Sequence, residues 1–128
     1  HIDLGGALRV GPHSAGAEPG PACYGLGGQD ATVTDAAVVL GIIHPQEFLG
    51  GEMRIDAQLA LEAVSRTVAR PLGIDTHSAA LGIVRIANAS MACAIRKLLV
   101  ERGLDPREFA LLAFGGAGPI YAPYLAQD

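Results

Sequence analysis

Three stretches of this 128-residue sequence carry residue types that do chemistry. The first is Phe114-Gly115-Gly116-Ala117-Gly118-Pro119, which strips side-chain bulk from the main chain between two apolar runs. In open α/β sheets ligands sit at the carboxyl ends of strands, where the N–H groups opening the next helix have no intrahelical partner. Glycines there let a flat or anionic group approach the backbone. Pro119 suits the first turn of the following helix, where its missing N–H costs nothing. No Gly-Lys-Ser/Thr follows, so this is not a Walker A loop, and the third glycine of a dinucleotide fingerprint is missing. On spacing alone, a tight turn with no ligand fits equally well.

The second and third stretches hold Asp35 and Cys23. Asp35 follows the β-like run Ala31–Thr34 and precedes a helix-like run. It can hold a metal-bound water or a polar substrate group at a strand end, cap the helix, or do both. Cys23 stands in a Gly/Pro-rich loop and is a candidate nucleophile or metal ligand, although no His or Lys is adjacent to lower its pKa. Asp35 and Cys23 are therefore the candidate catalytic residues. His13, between Gly11-Pro12 and Ser14, is a surface residue or a ligand. Asn88 and Arg96 share a side of a long helix and face either a nucleotide cleft or water. Cys93, between two alanines, reads as packing. Tyr24 reads as an anchor for the loop.

The elements that must position these residues follow from periodicity and breakers. Ala7–Val10 reads as a strand edge. Residues 11–30 have neither helical nor strand period and form an ordered loop, long enough to need a purpose. Ala31–Thr34 reads as a strand, with Thr34 or Asp35 capping a short helix that Gly41 ends. Asp56 caps a helix that should stop before Pro71. Asp75 or Thr76 caps the longest helix, which Gly103 stops. Its stripe is Ala79, Ile83, Ile86, Ala87, Ala94, Ile95 and Leu98. Ala110–Phe114 is too short for a helix and reads as a buried strand. Strands feeding helices through glycines predict an α/β fold.

Composition narrows the function. Hydrophobic residues make up 50% and charged residues 17%, which supports a packed core over disorder. A formal charge of -4 without basic blocks argues against a nucleic-acid partner. Arg85, Asn88, Arg96 and Lys97 interrupt the most apolar stretch, so no membrane span is expected. No charged-then-apolar leader opens the sequence, and the expected setting is the cytoplasm with both cysteines reduced. Both ends read as cuts in a longer polypeptide.

Taken together, "LRVGPHSAGAEPGPACYGLGG", "TVTDAAVVLG", "FLGGEMRID" and "ALGIVRIANASMACAIRKLLVERGLDPREFALLAFGGAGP" resemble, in this order, the hydantoinase A / 5-oxoprolinase / acetone carboxylase β-subunit family. The likeness covers nearly the whole chain. It implies a partial actin-like ATPase lobe (ribonuclease H-like), with strands and packed helices. Residues 1–128 would be the C-terminal part of the ATPase domain, the two Asp-x-Gly-Gly-Thr phosphate loops lying upstream. Asp3-Leu4-Gly5-Gly6 is not such a loop, since no Thr follows. The resemblance makes Gly115, Gly116, Ala117 and Gly118 the turn under the nucleoside, with ATP and Mg²⁺ as cofactors. It implies ATP-dependent opening of a cyclic amide (hydantoin or 5-oxoproline) or a related carboxylation of a ketone. A second subunit or a fused hydantoinase B-like domain is the implied partner. The 128 residues alone should be inactive. The competing reading is an actin-like ATP-binding activator or assembly module with no small-molecule turnover. Departures from the family pattern fall at His13, Ala37, Ala89, Ser90 and Tyr121.

Overall fold

The computed structural model describes residues 1–127. The helices are α1 (Val33–Val39), α2 (Ala57–Val64), α3 (Arg70–Leu72), α4 (Thr76–Val100) and α5 (Gly118–Leu125). Short 3₁₀ turns lie at Ala22–Tyr24, Phe48–Gly51 and Pro106–Glu108. Among the described residues the only β pairing is an isolated antiparallel bridge between Ile2 and Leu8. The α/β expectation is thus met in its helices and not in its strands. The chain divides into two compact units, His1–Ile86 and Ala87–Asp128, with α4 running through the boundary.

In the first unit the opening turn is made by Asp3. Its carboxylate accepts from the Gly5 and Ala7 N–H groups and from Arg9 Nε. The Arg9 bond, followed by the backbone donors, holds the exposed Asp3 carboxyl below its usual range. Asp3-Leu4-Gly5-Gly6 is a self-contained turn, and the strand expected at Ala7–Val10 shrinks to the Ile2–Leu8 bridge.

The strand expected at Ala31–Thr34 is replaced by a helix start. Thr32 is the N-cap of α1: its Oγ1 accepts from Asp35 N, while the Asp35 side chain accepts from Thr32 N. This capping box satisfies two orphan donors reciprocally and outweighs the β propensity of a Thr-Val-Thr run. The cap is therefore Thr32, with Asp35 as its partner, and not Thr34.

Asp56 caps α2 as expected, its carboxylate accepting from Gln58 and Leu59 N–H. The helical path does not stop before Pro71. It widens into a π turn over Ser65–Ala69, in which Arg70 N–H reaches the Ser65 carbonyl, and continues through α3 to Leu72. The wider turn accommodates the proline ring. Gly73, at φ 66°, then ends it. Buried Ala36, Ala37 and Val38 of α1 and Ala60, Ala63 and Val64 of α2 form the centre of the unit, with Val68 and Ala69 extending it. The Ala22–Tyr24 turn packs on both helices. The alanines let the backbones approach closely.

Asp75 caps α4 by accepting from Ser78 N–H at 2.9 Å. The expected apolar stripe is buried at Ala79, Ile83 and Ala87, but Ala94 and Leu98 are exposed. An 18-residue window of α4 has mean hydropathy 1.5, enough by length and composition to cross a membrane. A third of that window is buried in the chain itself, including Ala79, Ala80, Ile83 and Val84.

In the second unit, Ala110–Phe114 is neither a strand nor buried. Leu112 and Phe114 are 82% and 81% exposed. A strand needs a neighbour to take its N–H and C=O groups, and none of the described residues supplies one.

Candidate functional site

The Asp35 carboxylate is fully buried and draws three segments together. Oδ1 accepts from Cys23 N–H at 2.8 Å. Oδ2 accepts from Ala22 N–H at 3.2 Å, Thr32 N–H at 2.9 Å and the Thr32 hydroxyl at 2.7 Å. An ionised carboxylate offers about two lone-pair positions on each oxygen, so Oδ2 is fully engaged and Oδ1 holds a single donor. Such charge-assisted bonds inside a core are the strong kind. Of the two roles open to Asp35 in the sequence, the geometry supports the structural one. Three of the four donors crowd Oδ2, and Oδ1 takes only the Cys23 N–H.

Cys23 is brought against Asp35 but is not activated by it. Burial, and then the neighbouring Asp35 charge, push its thiol well above the ordinary range. A nucleophilic cysteine needs the reverse, a positive neighbour and solvent access. Both cysteines are free, with Cys23 buried and Cys93 exposed. An alkylating reagent should therefore modify Cys93 rapidly and spare Cys23 until the protein is unfolded, as read by peptide mass spectrometry. Rapid native labelling of Cys23 would overturn this account of its environment.

With Ala22 and Cys23 held by Asp35, the Gly/Pro-rich loop becomes a wall. Two cis X-Pro bonds, Gly11-Pro12 and Glu18-Pro19, fall within it. A Cβ on Gly20 would lie 2.6 Å from the Ala17 carbonyl oxygen. The Arg66 guanidinium donates to the Gln29 carbonyl and ties the loop's far end to the π turn. Tyr24 anchors it by ring contact with Phe48, centroids 5.6 Å apart. Behind this wall lies a cavity of about 810 Å³ in the first unit. His13 and Ser14 of the loop, Thr34 of α1, Val68 of the π turn and Ile83 of α4 are among its lining residues. Sequence reasoning missed the cavity; of its lining residues it took His13 as a candidate ligand, Thr34 as a helix cap and Ile83 as packing. The Thr-x-x-Asp spacing at 32–35 was the available signal for how α1 starts.

The glycine turn belongs to the second unit. Gly115 has φ 79°, and a Cβ built on Gly115, Gly116 or Gly118 would meet nothing within 4 Å. The side-chain-free main chain is open to solvent, and packing within the chain requires no glycine at 116 or 118. Ala117 is the N-cap of α5 without a side-chain cap bond, and Pro119 stands in the first turn. Tyr121 is buried on α5, where burial raises its phenol pKa. Asn88, half-buried on α4, has a buried Oδ1 that no described residue satisfies. Among the described residues no group of three or more His, Cys, Asp or Glu is placed to hold a metal ion.

A pinned glycine/proline wall, a capped helix start and an open glycine turn, met in this order, define a class. The chain matches the hydantoinase/oxoprolinase family over residues 1–128 and belongs to that family. It is 48% identical to the caprolactamase subunit alpha of Pseudomonas jessenii over 128 residues, covering all of this chain and 18% of that protein. It is also 48% identical to the acetophenone carboxylase gamma subunit of Aromatoleum aromaticum, covering 99% of this chain and 18% of that protein. The crystal structure of the ATP-dependent caprolactamase from Pseudomonas jessenii superposes with TM-score 0.90 at 48% identity, over 99% of this chain and 18% of that one. The chain thus spans less than a fifth of the length of these relatives.

Proposed function

We propose that this chain is the nucleotide-binding portion of an ATP-dependent enzyme that opens cyclic amides or carboxylates ketones. The observation that carries this is the 0.90 superposition on an ATP-dependent caprolactamase. The 48% identity to a caprolactamase subunit and to a carboxylase subunit supports both chemistries. ATP, with Mg²⁺, would supply phosphoryl transfer to the carbonyl oxygen, a reaction that depends on positioning and charge neutralisation. The Mg²⁺ ligands lie outside the described residues in this reading.

Within it, Gly115, Gly116, Ala117 and Gly118 bear the nucleoside. Their support is the open space above them, which intrachain packing leaves unexplained. Asp35 and Cys23 act as positioning residues that hold the loop. Ala110–Phe114, exposed here, becomes a strand of an actin-like lobe shared with further polypeptide, which gives Leu112 and Phe114 their cover. A second subunit fits the relatives, both named as subunits. A cytoplasmic setting fits the two free thiols.

Gly116→Val tests the assignment in the intact enzyme. The new side chain meets nothing within the chain, so thermal stability should hold within about 1 kcal/mol, as for surface changes away from special features. ATP affinity should fall at least about tenfold, or about 1.4 kcal/mol. Unchanged ATP affinity by titration calorimetry would remove the turn from the nucleotide site.

A further inference from the structure

We propose that the cavity behind the Gly/Pro-rich loop receives the carbonyl substrate itself, and that it selects uncharged lactams or ketones over carboxylate-bearing analogues. The inference rests on the ATP-dependent carbonyl reading for the class of ligand and on the cavity for its place. The volume of about 810 Å³ falls in the range of small-molecule sites.

The lining divides into two kinds of surface. Val10, Val33, Val68, Pro71 and Ile83 give a hydrocarbon side suited to ring methylenes or an aryl group. The hydroxyls on the other side are not equally available. Thr32 Oγ1 is spent on Asp35, and Thr67 Oγ1 donates to the Ala63 carbonyl while accepting from Ala31 N–H. Ser14 Oγ accepts from Gly16 N–H at 3.1 Å and keeps its proton for another acceptor. Among the described residues, neither the Thr34 hydroxyl nor the His13 ring has a hydrogen-bond partner. Three groups that can donate to an oxygen thus line a cavity with an apolar side, with His1, Arg9 and Asp30 also on its lining.

Charge decides the selectivity. Arg9 lines the cavity, but its Nε is bound to Asp3 at 2.8 Å, which offsets its charge. Asp30 adds a negative group to the same lining. A substrate carboxylate would lose water here without gaining an unshared cation, which costs affinity. A neutral carbonyl needs only the donors at 13, 14 and 34.

The test uses saturation-transfer NMR on the intact protein with three probes: caprolactam, acetophenone and 5-oxoproline. At least one neutral probe should bind, and 5-oxoproline should bind at least about tenfold more weakly. Thr34→Leu, which fills part of the cavity from a partly exposed position, should weaken the neutral probe by about tenfold or more. Ser14→Ala should weaken it less, as a single hydrogen bond does. Affinity for ATP should be unchanged in both variants. Equal or tighter binding of 5-oxoproline, no binding of either neutral probe, or unaltered binding in both variants each overturns the inference. ATP titration of the same samples reports separately on the nucleotide reading. Loss of that reading with neutral-probe binding intact would leave the cavity assignment standing.

Discussion

Asp35→Ala is expected to be among the most destabilising single substitutions in the first unit. It leaves the N–H groups of Ala22 and Cys23 without acceptors inside the core, and takes away both the acceptor for Thr32 and one half of a capping box. At about 1–3 kcal/mol for each of the two buried donors, the loss is about 2–6 kcal/mol, with the cap adding about 1. Thermal unfolding should show it as a drop of ten degrees or more. Thr32→Val, which removes only the hydroxyl side of the box, should cost about 1 kcal/mol. The pair also separates the two roles open to Asp35. Should Asp35→Ala keep its stability within about 1 kcal/mol and yet abolish turnover, the carboxylate would be a reacting group, and the loop-pinning account would fail.

Gly28→Ala should be comparably damaging, for a steric reason. A Cβ there would fall on the carbonyl oxygen of Gly20, and lie 3.1 Å from the Pro21 carbonyl carbon and 3.2 Å from Ala22 N. All three obstructing atoms are backbone, so no flexible side chain can swing away. Two of them form the peptide bond that opens the turn, and one, Ala22 N, is itself held by Asp35. Overpacking of this kind costs about 1–3 kcal/mol, and a rigid obstacle places it at the upper end. Gly118→Ala is the control: its Cβ meets nothing, its φ is not left-handed, and stability should be unchanged or slightly improved. Because Gly28 and Asp35 act on the same turn, the double variant Gly28→Ala/Asp35→Ala should cost less than the sum of its parts. Strict additivity in denaturant unfolding would show that the two residues do not share a structural unit.

These two residues mark where sequence reading stops. Local signals were legible wherever a residue and its partner lie within one turn. Asp56 and Asp75 were readable as helix starts because a cap needs only a carboxylate two or three residues before free N–H groups. The irregular loop over 11–30 was readable because Gly and Pro deny it both periods. Family membership was readable because four motifs occur in a fixed order along the chain. The Thr32–Asp35 box was equally local, but a β-branched run concealed it, and tertiary packing of Ala36, Ala37 and Val38 favoured the helix.

What the amino-acid order determined by itself was the helix starts at Asp56 and Asp75, the irregular loop, the glycine turn and the family. Only the tertiary structure decided that the Asp35 carboxylate meets Cys23 N–H, twelve positions away, and so is built into the core. It also decided that the loop walls a cavity with His13, Ser14 and Thr34 on its lining, and that Pro71 is carried through a π turn. Ala110–Phe114 shows the same division from the other side. Its composition suits a strand, but a strand exists only where another supplies its hydrogen bonds, and the described residues hold none. Caps and breakers act through bonds between near neighbours, whereas burial, hydrogen bonds to a buried carboxylate and strand pairing depend on which distant segments meet.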